Sequence, residues 1–102
     1  MRNIRRRSTL WVARLEVRPL WQCHRNIVGA FVSAMVPAQT AFEAEEAFGR
    51  PLEVFGFSIV RAEFTADFRR IESRYRRRKE LRTMARRARR TGKPQIGTFH
   101  AW

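Results

Sequence analysis

Arginine is the residue type in this chain whose number and spacing point to chemistry. Lys79 and Lys93 are the only lysines among 22 basic residues, so 20 of the 22 are arginine. A planar guanidinium can hold a phosphate through two parallel hydrogen bonds, where an ammonium offers a point charge. The stretch Arg74 to Lys93, RYRRRKELRTMARRARRTGK, carries 11 of these cations against one acid, Glu80. On a helical wheel at about 100° per residue with Arg74 at zero, Lys79, Arg82, Arg86, Arg87, Arg89, Arg90 and Lys93 fall between roughly 60° and 220°. Leu81, Met84, Ala85 and Ala88 occupy much of the other side. The chemistry implied is recognition of a row of phosphates, with no bond made or broken.

Such a helix opposes its own formation. Arg74/Arg78, Arg78/Arg82, Arg82/Arg86 and Arg86/Arg90 are like-charge pairs four residues apart, each destabilising by roughly 0.2–0.5 kcal/mol. A dense line of anions reverses that sign, and nucleic acid supplies one. If six to ten side chains met phosphates, affinity would fall by roughly 10³–10⁵ between 50 and 200 mM salt. The expected contact residues are Arg5, Arg6 and Arg7 in the N-terminal arm, then Arg74, Arg76, Arg77, Arg78, Lys79, Arg82, Arg86, Arg87, Arg89, Arg90 and Lys93.

Other reactive residue types are sparse. Cys23 and His24 are adjacent and do not readily form a nucleophile and base with each other, and His100 lies far away in the sequence. A metal held by those three would need a fourth ligand and a distant closure. Glu43, Glu45 and Glu46 sit at a helix start, where carboxylates serve capping and the macrodipole. No glycine-rich phosphate loop, HExxH or GxSxG is present, so no enzyme, cofactor or metal is expected. Zinc fingers, the aromatic RNP pattern and zipper heptads are missing too.

The chain has 102 residues, a mass of 12.1 kDa, a formal charge of +13 and a sequence pI near 11.8. That charge argues against a free monomeric enzyme. It is also unevenly placed: Met1 to Val36 sums to +6, Pro37 to Glu63 to −3, and Phe64 to Trp102 to +10. The reading is therefore a basic arm over 1–25, a small core over 26–75, and an arginine-rich helix with an extended tail over 76–102. A core of that size is marginal without help, so a large partner is expected to complete it.

Taken in order, Met1 to Arg25 has seven arginines, Ser8, Thr9 and one acid, the composition of a mitochondrial targeting segment that is either removed or retained. Leu10 to Arg18 reads equally as helix or strand. Ile27 to Phe42 is 16 residues without a charge. It is short for a membrane span, which needs about 20 apolar residues, and reads as a buried helix over roughly Arg25 to Val36. Thr40 and Glu43 form a capping box that should open a helix, with Gly49 and Pro51 ending it after about two turns. Leu52 to Val60 is the strand candidate, pairing with Leu10 to Arg18 or with another chain. Thr65 is expected to cap a helix running to Arg90, about 26 residues or roughly 39 Å. Phe64, Phe68, Ile71 and Tyr75 would dock its first turns, and Gly92 with Pro94 would stop it. Ile96, Phe99 and Trp102 would lie in an extended tail, stacked on unpaired bases or packed on a neighbouring protein.

The expected fold is mainly α: a small helical core with one candidate strand, a long arginine-rich C-terminal helix and extended basic termini. In composition this resembles the general build of small ribosomal proteins. The resemblance implies a structural constituent of a ribosome, partnered by rRNA and neighbouring ribosomal proteins and not a free monomer, with a membrane disfavoured; the arginine-rich, acid-poor N-terminus points to a mitochondrial ribosome in the matrix. The alternative is an accessory subunit of a mitochondrial inner-membrane complex, with residues 27–42 against the bilayer and the basic helix on anionic headgroups.

Overall fold

The computed structural model describes residues 8–20, 27–75 and 78–102. Strand β1 spans Thr9–Pro19 and β2 spans Ala30–Ala38, followed by helix α1 (Ala41–Val54) and strand β3 (Phe57–Asp67). A single helical turn, α2 (Phe68–Ile71), runs into a 3₁₀ turn at Glu72–Tyr75. Helix α3 covers Lys79–Thr91, and two short strands, β4 (Gln95–Ile96) and β5 (His100–Ala101), close the chain. The fold is thus mixed α/β, and the mainly-α expectation is wrong. An antiparallel sheet in the order β3-β1-β2-β4, with β5 also on β2, forms its middle layer.

The residues expected as a buried helix, Arg25 to Val36, are the source of that error. From Ala30 onward they form β2, paired with β1 from Thr9↔Ala38 to Val17↔Ala30. An uncharged run signals burial without saying in which backbone form, because a strand covered on both faces has no polar alternation to show. The sheet accordingly draws strands from all three of the segments expected, with Thr9–Pro19 at its centre.

Alternation along the strands builds two cores. Ala13, Leu15 and Val17 of β1 and Ala30, Val32, Ala34 and Val36 of β2 point to one face, where Ala44, Phe48 and Leu52 of α1 cover them. Leu10, Val12 and Met35 point to the other, under Phe68 of α2 and Leu81, Met84, Ala85 and Ala88 of α3. The protein is a three-layer sandwich, with α1 on one side of the sheet and α2 and α3 on the other.

The capping box is present. Thr40 Oγ1 accepts from the Glu43 amide at 3.1 Å, and Glu43 Oε1 accepts from the Gln39 amide, one residue before the expected threonine amide. Helix α1 then runs through Gly49 and Pro51 to Val54. Its fourth turn persists because it buries Leu52, a gain of about 1.5–3 kcal/mol that offsets much of the proline penalty. The strand expected at Leu52 therefore begins only at Phe57, after a turn at Gly56 with φ 89°.

β3 does pair with β1, with register shifts that leave Val60 and Glu63 as extra residues. Bulges of this kind twist an edge strand and discourage further pairing. The pairing continues to Trp11↔Asp67, which keeps Thr65 in the sheet. Thr65 therefore caps no helix; its hydroxyl donates to Glu45 of α1, and Asp67 caps α2 by accepting from the Arg69 amide at 2.9 Å. The single helix expected from Thr65 to Arg90 is replaced by strand, helical turn, 3₁₀ turn and α3.

The C-terminal tail is part of the fold. The Gly97 amide donates to Ser33 O at 2.8 Å and the Trp102 amide to Gly29 O at 3.0 Å. Phe99 stacks on Phe57 at 4.6 Å between centroids, and the Trp102 ring tilts onto Phe31 at 4.8 Å. Gly29 leaves room for this ring: a Cβ at that position would lie 2.5 Å from it, so a larger residue would push Trp102 aside.

Candidate nucleic-acid interface

Helix α3 is held to the sheet by one narrow strip. Leu81, Met84, Ala85 and Ala88 lie at spacings of three, one and three, which puts them on a single side, and all four are buried. The small alanines let the helix axis approach β2 closely. The opposite side carries Arg82, Arg86, Arg87, Arg89 and Arg90, all exposed, with Lys79 exposed at the first turn. Gly92, at φ 72°, ends the helix by donating to Ala88 O at 2.8 Å, and Lys93 is exposed just beyond.

The sites of the two kinds of arginine differ. On the sheet, Arg14 Nε lies 2.8 Å from Glu63 Oε1, Arg61 Nε lies 2.8 Å from Glu16 Oε1, and Arg61 Nη2 lies 3.6 Å from Glu63 Oε2. Arg14 also sits over the Phe31 ring at 4.7 Å. Glu16 and Arg61 are direct partners in the β1–β3 register, so the pairing follows from the strand alignment. Among the described residues no carboxylate lies within ion-pair distance of Arg82, Arg86, Arg87, Arg89 or Arg90.

The one acid in α3 is engaged elsewhere. Glu80 Oε2 accepts from the Thr98 amide at 2.8 Å and from Thr98 Oγ1 at 2.6 Å. This clamps the tail to the start of α3 and turns the carboxylate away from the arginine side. Gly97 fits the same junction, since a Cβ there would come within 3.3 Å of Met84, Ser33 and Glu80. Glu80 was recognisable in the sequence as the lone acid; its partner, 18 residues away, was not.

An open groove of about 500 Å³ runs beside this row, between α2 with its 3₁₀ turn and α3. Phe68 and Ala85 line it together with Glu72, Arg82, Arg86, Arg89 and Arg90. A second hollow of about 280 Å³ continues it past Arg82 to Arg69, Glu72 and Ser73. This groove was not legible in the sequence, because Phe68 and Glu72 form one wall and residues of α3, ten or more positions further along, form the other.

Of the expected contact residues, the structure gathers Lys79, Arg82, Arg86, Arg87, Arg89 and Arg90 on α3 and Lys93 at its end. Arg78 is the residue before α3, and Arg74 is exposed on the 3₁₀ turn, off that helix. Arg5, Arg6, Arg7, Arg76 and Arg77 lie outside the described residues, as do Cys23 and His24. His100 is exposed in β5, and among the described residues no three His, Cys, Asp or Glu side chains come together as a metal would require. Trp102, expected on bases or on another protein, packs on Phe31 of its own sheet. No protein-family model, curated protein or solved structure matches this chain.

Proposed function

We propose that this protein binds nucleic acid, RNA foremost, by laying the arginine side of α3 along backbone phosphates. The observation that supports the reading is the division of charge. Arg14 and Arg61 on the sheet have carboxylate partners, whereas the five exposed arginines gathered on the 13-residue helix have none among the described residues. That helix is about 20 Å long at 1.5 Å per residue, roughly half the length expected from the sequence. It can reach about five phosphates, fewer than the six to ten first estimated.

The number sets the test. With about five phosphates neutralised, log K for a duplex should fall against log salt with a slope of roughly −4 to −5. Fluorescence anisotropy of a labelled RNA duplex between 50 and 200 mM salt measures it. Changing Arg82, Arg86, Arg89 and Arg90 together to Gln should flatten the slope by about 3–4 units while circular dichroism stays unchanged. Salt-independent binding, or a quadruple variant that binds like the parent, refutes the reading.

The narrower form of the proposal is a structural protein of a mitochondrial ribosome, in the matrix, held by rRNA and neighbouring ribosomal proteins. It rests on the arginine-rich, acid-poor composition and the N-terminal segment. Sedimentation of a tagged copy on a gradient tests it: the protein should travel with a large particle and leave that particle after RNase treatment. For the membrane-complex alternative, residues 30–38 of the apolar segment at 27–42 form a sheet strand. Among the described residues no helix is long and apolar enough to cross a membrane.

A further inference from the structure

We propose that the groove between α2, its 3₁₀ turn and α3 seats one unpaired nucleobase, with guanine preferred, and that Glu72 reads its edge. The inference rests on the nucleic-acid reading of α3 and adds a specificity to it.

Two features of the groove are unsuited to holding phosphate alone. Its lining is more apolar than polar, which a phosphate does not need; Phe68 and Ala85 are themselves buried at its floor, so the exposed apolar part is the aliphatic stems of the arginines. It also includes the carboxylate of Glu72, which repels phosphate and lines both hollows. A flat base accounts for each. Its ring can lie against the apolar lining and under the guanidinium planes of Arg82 or Arg86, since arginine stacks on aromatic faces. The phosphates on either side of it then fall to Arg89 and Arg90, on the same row.

The carboxylate selects among bases. Ionised, it accepts hydrogen bonds and donates none. Guanine presents two parallel donors on its Watson–Crick edge, N1–H and N2–H, spaced to meet the two oxygens of one carboxylate. Adenine and cytosine each offer one amino group, and uracil offers a single N–H flanked by two carbonyl oxygens that oppose Glu72. The expected order is guanine first and uracil last. The base must be unpaired, because in a duplex that edge is occupied and the base is locked in the stack.

Five RNA hairpins test this: one with a fully paired stem, and four carrying a single bulged A, C, G or U. Phosphate contacts are common to the bulged set, so differences among the four report the base. The G bulge should bind the full-length protein roughly 10-fold more tightly than the U bulge. Glu72→Gln, at an exposed position, should erase that preference without flattening the salt dependence. Equal affinity for all five hairpins, or a G preference that survives Glu72→Gln, overturns the base-reading groove and leaves phosphate binding by α3 standing. If no hairpin shows salt-dependent binding, both fall together.

Discussion

Helix α1 on one face of the sheet carries four glutamates and one arginine; α3 on the other carries six cations and one glutamate. They also differ in what they bury. α1 inserts Phe48 and Leu52 into a core that takes in much of β1 and β2 and the start of β3. α3 inserts Leu81 and Met84 with two alanines over a patch of only Leu10, Val12, Met35 and Phe68. The acidic-side helix is anchored by large side chains. The cationic one is held by a thin strip, and the repulsion between Arg82, Arg86 and Arg90 works against it. Large buried side chains are concentrated on one face and positive charge on the other.

The largest way to break this contrast is Phe48→Ala. The side chain is fully buried, and its loss should cost about 3–5 kcal/mol in a urea unfolding curve. RNA affinity, corrected for the folded fraction, should stay at the parent value, because the change lies on the far face.

Met84→Ala sharpens the comparison from the other side. A buried methionine lost from a small cluster should cost about 2 kcal/mol, less than Phe48. Since Met84 fastens α3 to the sheet, affinity per folded molecule should fall as well. A variant that loses stability but binds normally would mean α3 needs no docking to present its arginines.

The smallest effects come from one substitution made in the two helices. Gly49 lies inside α1 with open space where a Cβ would stand, so Gly49→Ala should raise stability by roughly 0.5–1 kcal/mol. Gly92 ends α3 at φ 72°, so Gly92→Ala should lower stability by about 1 kcal/mol. Thermal melting of the pair should give opposite signs. Equal signs would show that the helix ends are not held as described.

Residues that act over a few neighbours were legible in the sequence. The Thr40–Glu43 cap, the Gly92 stop and the division of α3 into Arg82/Arg86/Arg89 against Leu81/Met84/Ala85/Ala88 depend on spacings within one or two turns. Where the reading failed, the deciding contact was remote. Phe64, Phe68 and Ile71 carry a helical spacing, yet Phe64 is held in β3 by pairing with Arg14. The groove by Phe68 and Glu72 was invisible for the same reason: its walls are ten or more residues apart along the chain.

The sequence by itself determined the charge, the arginine side of α3 and the two helix caps, because each depends on residue type and short-range spacing. Only the tertiary structure decided that Ala30–Ala38 is a strand, that Arg14 and Arg61 find carboxylates while the arginines of α3 do not, and that Glu80 binds Thr98. Backbone hydrogen bonds in a sheet join residues far apart in the chain, so a buried run of Ala, Val and Met becomes a strand only once β1 lies beside it.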